Sequence, residues 1–113
     1  MAASFPNSAL AVIDLRKLRD NCLNPEHPRG CHKAAVFREV LGLTRDDAIW
    51  PCDAFLVAAR AEEAVLVNQD VWGDPWRVDG KMTRHGRTVM VKSLWLVRTG
   101  DYLPRFVSGW ILR

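Results

Sequence analysis

The sequence predicts an α+β fold: two or three N-terminal helices followed by an antiparallel meander sheet of three to four strands. Three observations carry the prediction. Apolar residues recur at spacings of three and four up to about residue 60, the period drops to two from about residue 75, and helix caps punctuate the first half while turn residues punctuate the second. No repeat, linker or low-complexity tract interrupts the pattern, so residues 1–113 read as a single domain.

Residues 1–8 form a leading arm whose Phe5 packs down. Asp14 then precedes Leu15, Leu18 and Cys22, which gives an Asp-capped first helix of about two turns, closed before Asn24-Pro25 because a residue ahead of proline disfavours helical backbone. A second helix spans about Cys31 to Leu41, with Val36, Phe37, Val40 and Leu41 as its apolar stripe and Gly42 as a left-handed terminator. Thr44-Arg45-Asp46-Asp47 reads as a cap for a third helix that turns Ile49, Phe55, Ala58 and Ala59 inward. Pro51 either kinks that helix or marks its start near Trp50.

Val65 to Val67 can form an extra edge strand. Trp76, Val78 and Met82 alternate with Arg77, Asp79 and Lys81 in one strand; Val89, Val91, Ser93, Trp95 and Val97 alternate with Met90, Lys92, Leu94 and Leu96 in the next. The second of these is apolar on both faces and belongs at the centre of the sheet. Thr83 to Arg87, with Gly86, supplies a hairpin turn, and Arg98 to Pro104 leads into a last strand over Arg105 to Leu112.

Composition narrows the function classes. With 49% apolar and 26% charged residues the chain is not a disordered one, and its net charge of +3 permits a polyanionic partner without announcing one. The longest apolar windows, Ala9 to Ile13 and Ala64 to Val67, fall far short of the ~20 residues of a membrane span, so no membrane partner and a cytoplasmic location are expected. Three cysteines, an odd number, argue for reduced thiols, with Cys22 and Cys52 as small core residues.

Chemistry concentrates in residues 24–33, Asn-Pro-Glu-His-Pro-Arg-Gly-Cys-His-Lys, just ahead of and within the start of the second helix. A helix N-terminus offers unpaired N–H groups and the positive end of its dipole, and Arg29 and Lys33 strengthen its appeal to anions such as phosphate. RNA cleavage by 2′-hydroxyl attack requires a base, an acid and a cation for the phosphate. His27, Lys33 and Ser108 are candidates for catalysis, with Arg29, His32 and Arg87 as substrate-binding groups. Ser108, between Phe106 and Trp110 on the last strand, adds a hydroxyl able to touch a phosphate. The competing reading makes His27-Pro28 a turn, pairs Arg29 with Glu26 and leaves Lys33 solvated.

Cys22, His27, Cys31 and His32 lack the half-site spacing of structural zinc, so neither metal nor other cofactor is expected, and no orienting Asn or Asp supports Cys31 as a nucleophile. Among the five tryptophans, Trp95 and Trp110 read as core, while Trp72 and Trp76 could offer stacking faces to bases.

On these residues the chain resembles a small bacterial domain family of unknown function. The shared features are Pro6-Asn7-Ser8-Ala9, the Asn-Pro-x-His-Pro-x-Gly-x-x-Lys-Ala signature within Leu23 to Phe37, Gly73 to Trp76, Trp95-Leu96-Val97, and Pro104-Arg105-Phe106-Val107-Ser108. More distantly, the layout is similar to the barnase/EndoU/colicin/RelE group of metal-independent RNases, many of them toxins; Ser108 stands where that resemblance leads one to expect threonine. The resemblance implies an RNase-like toxin domain that acts on RNA by general acid/base chemistry and is held in check by a neutralising antitoxin or immunity-type protein. The alternative is a noncatalytic interaction module of a toxin–antitoxin-like pair.

Overall fold

Asp14 opens the helical half as its sequence position requires: its Oδ1 accepts the Arg16 N–H at 3.0 Å. In the computed structural model, which describes residues 5–68 and 71–112, helix α1 (Leu15–Lys17) continues as a wider π-helical turn over Leu18–Cys22. Leu18 and Cys22 are buried. Residues 1–4 of the expected arm lie outside the described residues, but Phe5 is buried against Trp76 and Trp95, with ring centroids 6.3 and 5.8 Å away.

Helix α2 (Cys31–Leu41) ends at Gly42, whose φ of 66° lets its N–H reach Arg38 O while Leu43 N–H reaches Phe37 O. Its buried stripe is Ala34, Phe37 and Leu41, with Val36 and Val40 on the half-buried flanks. A 3₁₀ turn (Arg45–Asp47) follows, closed by Asp47 Oδ2, which accepts from both the N–H and the hydroxyl of Thr44. Helix α3 (Ile49–Ala61) then starts early enough that Pro51 sits in its first turn, where the missing N–H would have had no intrahelical acceptor. Ile49, expected inward, is 67% exposed. The inward stripe is Pro51, Phe55, Ala58 and Ala59, and two residues before Pro51 is roughly 200° around the helix.

The sheet runs β1 (Ala64–Leu66), β2 (Gly73–Arg84), β3 (Arg87–Arg98) and β4 (Arg105–Ile111), in that spatial order, with every pair antiparallel. His85 and Gly86, at φ 51° and 76°, form the two-residue turn between β2 and β3, the left-handed pair that matches the twist of a hairpin. The far edge of β4 is bordered by a single parallel bridge to Val12: Val12 N–H donates to Pro104 O, and Phe106 N–H to Val12 O, both at 3.0 Å. Since Val12 leads directly into α1, the bridge sets the first helix beside β4.

One sheet face carries Val78, Met82, Val91, Trp95, Phe106 and Ile111 into the core. Aromatic rings link the layers: Trp95 meets Phe106 edge-on at 5.4 Å, Phe106 meets Phe55 of α3 at 5.2 Å, and Phe55 meets Phe37 of α2 at 6.4 Å. Ser93, 1% exposed, is satisfied there, accepting the Trp95 indole N–H at 2.9 Å. Among the described residues no helix is long and apolar enough to cross a membrane.

A Cβ on Gly109 would lie 2.5 Å from Phe55 Cζ, a ring locked in this core, whereas one on Gly80 would meet the Ala58 methyl at 3.0 Å and Glu62 Cγ at 3.6 Å. Gly109→Ala is therefore expected to cost about 1–3 kcal/mol and Gly80→Ala less. The urea midpoints of the two variants measure this, and equal losses would contradict the packing described.

Acid should also loosen the fold. The Arg16 side chain beside Asp14 holds its carboxyl down at about 2, and Asp20, Asp47 and Asp101 are lowered by Arg19 and Arg45, by the Thr44 N–H, and by the Leu103 and Tyr102 N–H groups respectively. A carboxyl whose folded pKa lies below its unfolded value stabilises the fold above about pH 4, and that stabilisation is lost as pH falls toward about 2. Urea midpoints measured across this window should decline with acidification; a rise would reverse the sign assigned here.

Candidate functional site: a hollow between the second helix and the last strand

The Asn-Pro-Glu-His-Pro-Arg-Gly segment folds into a chain of turns tied together by two side chains. Asn24 Oδ1 accepts the Glu26 N–H at 3.0 Å, and His27 Nδ1 accepts the N–H groups of Arg29 and Gly30 at 3.0 and 2.8 Å. An Nδ1 that accepts hydrogen bonds places the neutral ring's proton on Nε2. Cys31 N–H returns to His27 O at 3.0 Å, so His27 clasps the start of α2 from both its ring and its carbonyl. Gly30 is required by crowding, because a Cβ there would lie 2.2 Å from Asn21 O. Arg29 and Glu26 are both exposed, and among the described residues no ion pair joins them.

One turn into α2, Lys33 reaches across to β4. Its Nζ donates to Ser108 Oγ at 2.7 Å and stands 5.1 Å from the centroid of the Trp110 ring. Cys22 Sγ lies 3.9 Å from the same hydroxyl. The hollow beside them, about 320 Å³, is lined by His32, Lys33, Val36, Trp110 and Ile111. His32 is exposed on its wall. Lys33 and Ser108, 75 residues apart in the chain, are thus brought together; His32 shares the hollow of Lys33, whereas His27, named with them from the sequence, does not line it and spends its Nδ1 on the turn.

Arg87 lies elsewhere. Its guanidinium points at Glu39 O and Val40 O, 3.4 Å each, next to Arg84, which donates to Leu41 O at 2.8 Å. Both arginines face the negative end of α2, roughly 15 Å along the helix from the Lys33 end. Trp110 departs from expectation as well. Ser108 and Trp110 oppose Leu94 and Lys92 across the ladder and stay half-exposed, whereas Gly109 and Ile111 between and beyond them are buried. The indole belongs to the hollow and not to the core.

Lys92, unremarked in the sequence beyond its place in a strand, puts a second ammonium 5.9 Å from the same indole. Its signal was a cation in the apolar interior of β3, between the arginines at its two ends. A larger hollow of about 770 Å³ on another flank of α2 includes Arg19, Arg38 and Arg45 over Leu23 and Leu43, but Arg19 and Arg45 are both bonded to Asp20. It lacks a histidine or a cross-element lysine–hydroxyl contact, so the smaller hollow is the stronger candidate. Cys22, His27, Cys31 and His32 do not converge; among the described residues no group of three or more His, Cys, Asp or Glu could hold a metal.

The fold and hollow define an α+β domain in which the start of a helix faces an edge strand of a meander sheet. The chain belongs to DUF6883, a domain of unknown function, which it matches over residues 4–113. In fold it is similar to a chain of the contact-dependent growth inhibition toxin–immunity protein complex from Klebsiella pneumoniae 342. The TM-score is 0.69 at 15% identity, over 89% of this chain and 99% of that one. No curated protein matches.

If His27 acts as a clasp, an acceptor at that position matters more than an imidazole. His27→Ala should lower stability by about 0.5–2 kcal/mol, and His27→Asn, which keeps a short acceptor suited to turns, should recover most of it. Denaturant midpoints of the two variants test this; an asparagine as damaging as alanine would count against the clasp.

Proposed function

We propose that this chain is an RNase-like toxin domain that cleaves RNA without a metal, using the hollow between α2 and β4. The observation that carries the reading is the 2.7 Å contact from Lys33 Nζ to Ser108 Oγ, made at a solvent-open wall where among the described residues no carboxylate pairs with that lysine. An unneutralised ammonium beside a hydroxyl and a helix N-terminus suits a phosphodiester.

In this reading the 2′-oxygen bonds to phosphorus as the P–O5′ bond breaks. One group takes the 2′-hydroxyl proton and another supplies a proton to the departing 5′-oxygen. Lys33 holds the phosphate and Ser108 donates a hydrogen bond to it. His32, exposed on the same wall, suits the proton transfers better than His27, whose Nδ1 is engaged. Arg29, exposed on the preceding turn, remains free to meet a neighbouring phosphate, while Arg87 serves the far end of the helix. A domain of this kind needs a neutralising antitoxin or immunity-type partner, and the fold's likeness to a chain of a toxin–immunity protein complex supports that expectation.

A noncatalytic interaction module is the second reading, favoured by Val71, Trp72 and Tyr102, which are 80%, 76% and 65% exposed on connections at one end of the sheet. Incubating the purified chain with mixed RNA in EDTA separates the two. Cleavage should fall about 10²–10⁴-fold in His32→Ala and about 10²–10³-fold in Lys33→Ala, with folding confirmed by circular dichroism. A wild-type chain inert at high concentration would overturn the nuclease reading in favour of the module.

A further inference from the structure

Two lysines from different elements converge on one indole. Lys33 comes from α2 and Lys92 from β3, and their Nζ atoms stand 5.1 and 5.9 Å from the Trp110 centroid. The quadrupole of the ring attracts each ammonium but neutralises neither, and the two repel one another. The nearest candidate counter-ion by register is Asp79, directly opposite Lys92 on β2. Its carboxylate instead leans toward Arg77, with Oδ1 3.7 Å from the guanidinium Nε, and among the described residues no ion pair reaches Lys92. The same sheet face continues from Lys92 and Trp110 to Leu94 and Ser108, then to Leu96 and Arg105, and all but the exposed Arg105 are half-exposed. The result is a track along β3 and β4 with an apolar floor, the unpaired Lys92 at one end and Arg105, paired with Asp101, at the other.

We propose that Lys92, with the Trp110 indole, is a second phosphate subsite that grips the phosphodiester adjacent to the one held by Lys33, so the ligand is a single strand with consecutive phosphates and not a mononucleotide. The assignment rests on the reading of the Lys33 hollow as an RNA site. Two ammoniums bracketing one position fit successive phosphates of one strand, and the leucines beside them accept the apolar faces of splayed bases, which a duplex keeps stacked.

The test uses a single-stranded oligodeoxynucleotide, which lacks the 2′-hydroxyl and cannot be cleaved by the proposed route. Its binding is followed by tryptophan fluorescence across a salt series. Lys92→Ala should weaken binding roughly five- to tenfold and reduce the slope of log affinity against log salt by about 0.7, one phosphate contact on a single strand. Lys92→Arg should restore both, and Lys81→Ala, an exposed lysine on β2, should change neither. Equal affinity and slope in wild type and Lys92→Ala would overturn the subsite, as would binding of polyglutamate in preference to the oligonucleotide, which would assign the patch to an acidic protein. Because the probe cannot be cleaved, the two readings fail separately. RNA cleavage with no Lys92 effect removes the subsite alone, and a Lys92-dependent slope with no RNA cleavage removes the nuclease alone.

Discussion

Phe55 occupies the volume that a side chain at position 109 would need, and this exclusion ties the core to the hollow. A Cβ at Gly109 would meet the ring at 2.5 Å, so the bare backbone of β4 lies down on α3 at that point. Alternation along a strand does the rest: with Gly109 pressed inward, Ser108 and Trp110 on either side turn away from the core. The ring is itself held from both sides by Phe37 and Phe106. Packing between α3 and β4 thereby decides where a hydroxyl and an indole are presented to solvent, although neither residue belongs to the core.

The opposite wall is fixed by a different set of forces. The Val12 bridge sets α1 beside β4, and the turns over residues 24–30 reverse the chain so that α2 begins close to the same strand. His27 and Asn24 hold those turns through backbone donors, and Gly30 permits the close approach to Asn21. At the other end Arg84 and Arg87 satisfy the last carbonyls of α2, an arrangement the helix dipole favours. The helix is thus pinned at both ends, and Lys33, one turn in, needs little freedom to reach Ser108. A side chain anchored in this way is held in one place, which is what any group that must meet a ligand at a fixed distance requires.

Local signals made most of the fold legible. Gly42 after a 3.6-period stripe, Thr44 with Asp47, Gly86 in a hairpin and the alternation around Trp95 each act within a few residues, and the corresponding elements stand within a residue or two of their expected bounds. What escaped was set by distance. Ile49 fits an apolar stripe by composition, but Pro51 and Phe55 fix the helix's rotation against the sheet and leave it outside. Trp110 resembles Trp95 in the sequence; the bulge at Leu94 and Trp95 and the Phe55–Gly109 contact determine which face each indole takes. At the site, Lys33 and Ser108 were each named from the sequence, but their contact, like the commitment of His27 to the turn and of Arg87 to carbonyls, depends on side-chain directions that spacing does not encode. Lys92 had no motif to mark it.

The distribution of cations carries the last step. Arg16 is bonded to Asp14, Arg19 and Arg45 to Asp20, Arg105 lies 3.8 Å from Asp101, and Arg84 and Arg87 are turned to helix carbonyls. These groups hold elements together, and their charge is largely answered within the chain. Lys33 and Lys92 face a hydroxyl and an aromatic ring, partners that orient an ammonium without cancelling it. A modest net charge of +3 can therefore coexist with a local positive spot, because Asp14, Asp20, Asp47, Asp79 and Asp101 pair with arginines and not with these lysines. A charged partner meeting a protein surface responds to such local arrangement of charge and not to its average.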